Sequence, residues 1–228
     1  MNIDTNTCER YKRIPVAVLN DVMVKAGCPD QVLSHEIKSS DGLPSFAGPA
    51  FCVRGERTAG GSGKPDVRFE MYRQFRSGSV LIIATGGYRS TAVLGENMTV
   101  ALKMRGCQGI VVDGGYRDKS SIAEAGIPVR AMFVSPVASS GRFALVEFDV
   151  SVTLPGQSTP EVQIHAGDLV VGDEEGTIII PARGVQTILE DAEKVIEAER
   201  RTRDLILAGE DAEKAYKSND RFGHVRPI

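Results

Sequence analysis

The chain has 228 residues, of which 42% are apolar and 25% are charged, and its formal net charge at pH 7 is −3. This composition is ordinary for a globular protein, and the length supports one domain, or one domain with a helical appendage. Nucleic acid is not expected as the main partner, because the basic residues are scattered and mixed with acids. No apolar run approaches the length of a membrane span.

The cysteines and histidines indicate a reduced, cytoplasmic protein. The four cysteines show no CxxC pairing, and only three histidines are present, so a zinc site of Cys and His ligands is not expected. A disulfide framework is equally unexpected in a chain of this size. The first residues, MNIDTNTCERYKR, lack the apolar core of a signal peptide. We therefore expect a cytoplasmic location.

The first third of the chain predicts a helix, a strand and a loop. Residues 13–27 form an amphipathic helical pattern that begins after Pro15 and ends at Gly27. Residues 47–54 predict a short strand. The stretch 58–65, TAGGSGKP, lacks the glycine and hydroxyl positions of a phosphate-binding loop, so a flexible surface loop is predicted there.

The middle of the chain alternates helix and strand, with glycine at the junctions. Helices are predicted over 66–75, 98–105 and 119–126, and strands over 79–84, 109–113 and 128–134. Asn97 is well suited to cap the helix that begins at Met98. Strands and helices in this order predict an α/β layered core.

The last part of the chain is rich in strands and then helical. Residues 144–154 alternate as a strand does, 155–160 form a turn-rich loop, and 168–181 predict a hairpin. We expect these strands to run antiparallel to the earlier ones. Residues 183–208 carry one apolar stripe, so this helix packs on its own domain or on another subunit. The remaining turns, to Ile228, are expected to wrap a neighbour or to fray.

The residues Glu96, Arg117 and Asp118 are the candidate site. Twenty residues separate Glu96 from Arg117, and they predict one helix and one strand. Such a return can bring both ends of the segment to one edge of a sheet, where ligands commonly bind in α/β proteins. Two carboxylates can hold a divalent cation, and an arginine with free helix N–H groups can bind an anion. The pattern therefore predicts a metal-dependent enzyme for carboxylic acids.

Each of these residues also has an ordinary structural role. Glu96 suits the first turn of any helix because of the helix dipole. Asp118 could cap the helix that begins near Lys119, and Arg117 could bridge either acid. Asp113, at the end of a predicted strand, is either a further ligand or a turn-forming residue. The residues alone leave both interpretations open.

Residues 95–118, GENMTVALKMRGCQGIVVDGGYRD, resemble the signature of a known family. It includes 4-hydroxy-4-methyl-2-oxoglutarate aldolases and the regulator of ribonuclease activity A (RraA). The resemblance continues through 46–54, 125–136 and 165–181. It implies a swivelling β/β/α fold of the RraA-like type over residues 1–182, with a helical extension over 183–228. It also implies a homotrimer or homohexamer with sites at subunit interfaces.

The resemblance implies a role for each candidate residue. Asp118 would ligate Mg²⁺ or Mn²⁺, and Glu96 would hold a water on that metal. Arg117 would bind the 2-oxo acid and stabilise its enolate. Backbone N–H groups after Gly95 would hold the pyruvyl carboxylate. They belong to Glu96, Asn97 and Met98.

Two departures from the family pattern bear on the substrate. Asn97 and Met98 stand where many relatives carry bulky aliphatic residues, and Ser120 and Ser121 follow Asp118 where some relatives carry a further acid. Both changes are expected where the distal half of a substrate would lie. Substrate identity is therefore left open.

The implied activity is cleavage of a 4-hydroxy-2-oxo acid, such as 4-hydroxy-4-methyl-2-oxoglutarate or 4-carboxy-4-hydroxy-2-oxoadipate, to pyruvate and a second oxo acid. Oxaloacetate decarboxylation is implied as a side activity, because it passes through the same enolate. One alternative is a non-catalytic regulator that binds an RNA-degradation enzyme. Another is a related lyase or hydrolase acting on a different 2-oxo or hydroxy acid.

Overall fold

A computed structural model describes residues 3–39, 44–58 and 66–228. The predicted loop over 58–65 lies outside the described residues from residue 59 onward. The helices are α1 (Thr5–Tyr11), α2 (Val16–Lys25), α3 (Arg68–Gln74), α4 (Glu96–Lys103), α5 (Lys119–Ala125), α6 (Val185–Leu207) and α7 (Ala212–Ser218). The strands are β1 (Lys38–Ser39), β2 (Phe46–Arg57), β3 (Val80–Ala84), β4 (Ala92–Leu94), β5 (Gly109–Tyr116), β6 (Val129–Val134), β7 (Phe143–Phe148), β8 (Val152–Pro155), β9 (Glu161–Ile164), β10 (Leu169–Gly172) and β11 (Thr177–Ile180).

The main sheet has parallel strands at its centre and antiparallel strands around them. Its order is β1-β6-β5-β3-β2-β10-β11, with β4 beside β5 and β7 beside β2. Strands β2, β3, β5 and β6 run parallel, and β4 runs parallel to β5. Strands β7 and β10 pair antiparallel with β2, as the sequence predicts for the second half of the chain.

Alternate residues of the central strands divide the core between the two faces of the sheet. Leu81 and Ile83 of β3 pack in a cluster with apolar residues of α3, α4 and α5. Val80 and Ile82 of the same strand pack in a second cluster, which includes the β8–β9 hairpin. A third cluster joins the β10–β11 hairpin to α1, α2 and α6. The predicted α/β layering is confirmed.

One predicted strand is divided in the structure. Residues 144–154 were predicted as a single strand, but they form the end of β7 and the start of β8. The break contains Asp149, whose φ of +58° is a left-handed conformation that does not continue a strand. Asp149 is held there by a two-pronged pair with Arg76, at 2.7 and 2.9 Å.

The C-terminal segment packs on the chain's own core. Val185, Ile188 and Leu189 of the predicted stripe are buried in the cluster that contains α2. The tail does not fray: Phe222, Val225 and Ile228 pack against the same cluster, and the Ile228 N–H donates to the Ala26 carbonyl at 3.2 Å. No helix in the described part of the chain is long and apolar enough to cross a membrane.

An ion pair fastens the tail to α6. The Asp191 side chain is fully buried, and its Oδ2 accepts from the backbone N and the Nε of Arg226 at 3.0 and 3.1 Å. Burial by itself raises the pKa of this carboxyl, but the hydrogen bonds and charge of Arg226 outweigh it, so the pKa of Asp191 lies below its usual value. The pair therefore stabilises the fold most where Asp191 is charged.

We expect Arg226→Ala to lower the free energy of unfolding at pH 7 by about 1–3 kcal/mol, the usual range for a hydrogen bond to a buried charge. A carboxyl with a depressed folded-state pKa contributes its stabilisation above its unfolded pKa of about 3.9 and loses it as pH falls through the folded value. The difference between the variant and the wild-type chain should therefore shrink below about pH 4. Urea unfolding between pH 3 and pH 7 measures both effects.

The matched control is Arg201→Ala, on α6, the helix that also carries Asp191. Arg201 pairs with Glu197 at 3.2 Å, and both side chains are exposed. An exposed pair of this kind contributes about 0.5 kcal/mol or less. Equal losses in the two variants, or a loss at Arg226 that does not change with pH, would contradict the assigned role of the buried pair.

Candidate functional site

The unit β4–α4–β5 brings the candidate residues to one edge of the sheet. β4 and β5 lie side by side and parallel, with Leu94 opposite Tyr116. The Arg117 N–H donates to the Leu94 carbonyl at 3.0 Å, which joins the ends of the two strands. The residues that follow β4 and those that follow β5 therefore lie close together. This agrees with the prediction that one helix and one strand bring both ends of the segment to the same edge of the sheet.

Asp118 turns back towards α4. Its φ of +61° is left-handed, a conformation that Asp adopts more readily than most residues. Its Oδ2 accepts a hydrogen bond from the Glu96 N–H at 3.0 Å, and its side chain makes no capping bond to α5. The alternative role of Asp118 as a side-chain cap for α5 is therefore excluded.

The predicted capping of α4 by Asn97 is wrong. The helix begins one residue earlier, at Glu96, with Gly95 as its N-cap and no capping side chain from that residue. Asn97 is thus a residue of the first turn, where its own backbone N–H has no partner within the helix. Asp118, from the segment between β5 and α5, provides the carboxylate that accepts from the first N–H of the helix.

Gly95 lies between the two halves of the site. A Cβ at this position would lie 2.9 Å from Asp118 Oδ2 and 3.0 Å from Arg117 Nε. Its φ of −147° is available to any residue, so space and not backbone conformation requires glycine here. The close approach lets Arg117 and Asp118 reach the first turn of α4.

Arg117 and Asp118 form an exposed ion pair. Arg117 Nε lies 3.3 Å from Asp118 Oδ2, and the two side chains are 43% and 36% exposed. The guanidinium is therefore accessible to a ligand while one carboxylate oxygen holds it. The arrangement places a cation, an anion and a helix N-terminus in one small volume, as the sequence predicts.

Asp113 does not belong to this group. Its side chain is buried, and its carboxylate accepts hydrogen bonds from the N–H groups of Thr85 and Gly87. Burial raises the pKa of Asp113, and the hydrogen bonds act in the opposite direction. Of the two interpretations of Asp113, the structure supports the turn-forming one, because this carboxylate fixes the turn after β3.

A cavity of about 590 Å³ opens beside Arg117 and the start of α4. Small-molecule sites commonly have volumes of this order. Its described lining residues are Thr58, Asp66, Arg68, Ala92, Val93, Leu94, Gly95, Glu96, Asn97, Met98, Arg117, Ala138, Ser139, Ser140, Gly141, Phe143 and Ala144. Asp118 is not among them, but it contacts Glu96 and Arg117, which are. The cavity is therefore continuous with the ion pair.

Asn97 and Met98, the first of the two departures from the family pattern, differ in their surroundings. The Asn97 side chain is exposed, but Met98 is only 5% exposed and packs in the cluster that contains Leu102. Both residues line the cavity, so the expectation that they lie near the distal half of a substrate stays a prediction. At the start of α4, Asn97 places an exposed polar side chain where the family pattern has a bulky aliphatic one.

Sequence reasoning missed a further part of the cavity lining. It comprises Thr58, which follows β2, Asp66 and Arg68, which lie just before and at the start of α3, and the turn from Ser139 to Gly141. The parallel pairing of β2 with β3, and of β3 with β5, brings the end of β2 to the same edge as the end of β5. Only that strand order would have indicated that these residues line the cavity, and a single sequence does not reveal it.

The donor set fits a hard divalent cation. No cluster of three or more His, Cys, Asp or Glu side chains that could hold a metal occurs within residues 3–39, 44–58 and 66–228. Mg²⁺ does not require one, since it is usually bound by one or two carboxylates and keeps several waters. Asp118 makes its contacts through Oδ2, and Glu96 is the neighbouring acid. These residues suit Mg²⁺ or Mn²⁺ better than zinc.

The family model described as RraA-like, Aldolase/RraA, matches residues 16–179. An uncharacterised protein of Methanocaldococcus jannaschii is 34% identical over 57% of this chain and 59% of its own length. A protein of Deinococcus radiodurans, provisionally named 4-hydroxy-4-methyl-2-oxoglutarate aldolase, is 31% identical over 74% of this chain and 96% of its own length.

Solved structures show the same fold. Streptomyces coelicolor RraAS2, described as an unusual member of the RNase ES inhibitor RraA protein family, superimposes with a TM-score of 0.77. The alignment covers 88% of this chain and 98% of that protein, at 24% sequence identity. The shared architecture therefore includes most of the described helices and strands.

Proposed function

Because the chain belongs to the RraA-like family, Aldolase/RraA, we propose that it is a divalent-metal-dependent pyruvate aldolase. It would cleave a 4-hydroxy-2-oxo acid to pyruvate and a second oxo acid, and decarboxylate oxaloacetate as a side reaction. The name of the Deinococcus radiodurans relative supports this substrate class. The observation that carries the proposal is the contact of Asp118 with both Arg117 and the first N–H of α4.

The start of α4 is suited to bind the carboxylate of the 2-oxo acid. The first hydrogen bond within the helix joins Thr99 N–H to the Gly95 carbonyl, so the preceding N–H groups have no helical partner. Asp118 accepts from the Glu96 N–H, which leaves those of Asn97 and Met98 for a substrate. Free N–H groups and the helix dipole together favour an anion at this position.

Arg117 is placed to stabilise the negative charge that develops on the substrate. Cleavage of the C3–C4 bond leaves an electron pair on the pyruvyl fragment, which becomes an enolate. The exposed guanidinium can donate hydrogen bonds to the enolate oxygen and to a neighbouring substrate oxygen, while Asp118 Oδ2 lies 3.3 Å from its Nε. A donor aimed at developing charge stabilises the transition state more than the ground state.

Glu96 and Asp118 would divide the remaining tasks. In the proposed reaction the proton of the 4-hydroxyl leaves through a water held by Glu96 as the C3–C4 bond breaks, and a proton returns to C3 to give pyruvate. Asp118 would hold Mg²⁺ or Mn²⁺, which when bound supplies Lewis-acid polarisation of the 2-oxo group. No lysine is needed for this route.

Pyruvate release from 4-hydroxy-4-methyl-2-oxoglutarate and from oxaloacetate tests the proposal. We expect release from both acids with Mg²⁺ present, a fall to background after EDTA treatment, and recovery when Mg²⁺ is restored. Release that is unaffected by EDTA would contradict the metal-dependent mechanism. No release from either acid would favour another acid substrate, or a regulator that binds an RNA-degradation enzyme.

A further inference from the structure

Tyr88 supports the lining of the cavity from within the core. Its ring stacks on that of Phe143, with the two centroids 4.8 Å apart and an angle of 25° between the ring planes. Phe143 is the first residue of β7 and lines the cavity beside Arg117. Tyr88 itself is buried and does not line the cavity. Its ring therefore lies directly behind one part of the cavity lining.

The hydroxyl of Tyr88 contacts the segment that leads to α4. Tyr88 Oη lies 3.4 Å from Thr91 Oγ1, and both residues are buried. Thr91 directly precedes β4, a strand of three residues that continues through Gly95 into α4. The Ala92 N–H, at the start of β4, donates to the Val137 carbonyl at 2.8 Å. The first turn of α4 therefore follows a short, well-fixed segment that Tyr88 helps to hold.

The backbone of Tyr88 is fixed by the turn after β3. Its N–H donates to Thr85 Oγ1 at 3.2 Å, and Thr85 Oγ1 donates to the Asp113 carbonyl at 3.1 Å. The buried Asp113 carboxylate accepts from the N–H groups of Thr85 and Gly87. Breaking buried hydrogen bonds of this kind is costly, so the turn holds Tyr88 in one position.

We propose that Tyr88 is a positioning residue for the reaction, which holds the first turn of α4 and the Phe143 side of the cavity in place relative to each other. This inference rests on the proposed function, since it assumes that the 2-oxo acid binds at Arg117 and α4. Loss of the ring would leave space into which Phe143 and β4 can shift. A displacement of about 1 Å in an active site can lower the rate by about 10²-fold.

The kinetics of Tyr88→Leu test this role. We expect kcat for pyruvate release to fall by about 10-fold or more while KM changes by less than about 3-fold, because misplaced groups impair the transition state more than substrate binding. Tyr88→Phe keeps the stacked ring and should retain most of the activity. A purely structural role would lower the midpoint of thermal unfolding and leave kcat of the folded protein unchanged.

Amide hydrogen exchange tests the positioning without any substrate. In Tyr88→Leu, exchange should become about 5-fold or more faster in peptides that cover residues 92–98 and 139–145, because lost packing favours local opening. Asp113→Asn keeps the size of the side chain but puts an amide where the carboxylate accepts from the turn. It should accelerate exchange in the same two segments, and it serves as the test if Tyr88→Leu does not fold.

The matched control is Tyr72→Leu. Tyr72 packs against the same apolar cluster as Tyr88, but its ring contacts Phe69 and it does not line the cavity. This variant also removes one tyrosine ring, so it reproduces the general loss of packing. Its kcat and the exchange of residues 92–98 and 139–145 should stay near their wild-type values.

The outcomes separate this inference from the proposed function. Unchanged exchange in both segments of Tyr88→Leu and Asp113→Asn would overturn the positioning role, even if pyruvate release is metal-dependent. Equal effects in Tyr72→Leu, or faster exchange with an unchanged kcat, would also overturn it. If the wild-type chain releases no pyruvate, the proposed function fails, and the exchange rates alone decide whether Tyr88 positions the cavity.

Discussion

Replacing Asp118 by alanine is expected to lower metal-dependent pyruvate release by about 10³-fold or more. The change removes the proposed metal ligand, and Lewis-acid stabilisation contributes several kcal/mol to such reactions. It also removes the acceptor of the Glu96 N–H. The side chain is 36% exposed, so the core should be unaffected. Steady-state pyruvate release measures the loss of activity, and the midpoint of thermal unfolding shows whether the core is unaffected.

Asp118→Asn separates the charge from the backbone conformation. Alanine in the left-handed conformation of this residue costs about 1–2 kcal/mol, whereas asparagine tolerates it. Asparagine also keeps an acceptor for the Glu96 N–H. We expect Asp118→Asn to lose as much activity as Asp118→Ala but less stability. Glu124→Ala, an exposed carboxylate on α5, is the matched control with normal turnover. Retained turnover in Asp118→Asn would refute the proposed metal ligand.

Replacing Arg117 by lysine is expected to lower kcat/KM by about 10²-fold. A lysine keeps the positive charge but lacks the planar pair of donors, and removing one donor from a developing oxyanion costs about 10²–10³-fold. Because the interaction strengthens in the transition state, kcat should fall more than KM rises. Steady-state kinetics with both proposed substrates measure the change in kcat and the change in KM separately.

The control for the Arg117 variant is Arg89→Lys. Arg89 is an exposed arginine that pairs with Glu36 at 3.2 Å and does not line the cavity. Its replacement should leave both kinetic constants near their wild-type values. Near-normal turnover in Arg117→Lys would instead remove the guanidinium from the mechanism and leave α4 as the substrate-binding element.

The sequence predicts the scaffold of the site because local signals determine it. Glycine at 95, 106 and 109 marks the ends of α4 and the start of β5, and the apolar run after Gly109 marks a buried strand. These signals act within a few residues, so they can be interpreted without knowledge of the fold. The β10–β11 hairpin and α6 were predicted for the same reason.

The orientation of side chains within the site was less predictable. Asp118 could have capped α5, and only its left-handed backbone directs it to α4 instead. Asn97 follows a glycine that caps the helix without a side chain, so its capping potential is not used. The direction of such a side chain depends on one backbone angle or on a partner from another segment of the chain, and sequence patterns determine neither.

Contacts between distant segments could not be predicted from one sequence. Thr58 and Arg68 join the cavity only because β2 lies beside β3 and β3 beside β5. The short strand β4 has three residues, too few to show a pattern, yet it carries the start of α4 to the end of β5. This part of the cavity lining could therefore be identified only from the tertiary structure.

The closeness of β4, α4 and β5 along the chain has a consequence for the order of folding. Leu94 and Tyr116 pair although they are only 22 positions apart in the sequence, whereas Pro49 and Leu169, which pair β2 with β10, are 120 positions apart. Closing a short loop costs less chain entropy than closing a long one, and local contacts generally form faster. The residues around Arg117 and Asp118 can therefore assemble early, and Thr58 and Arg68 join them once β2 pairs with β3 and β3 with β5.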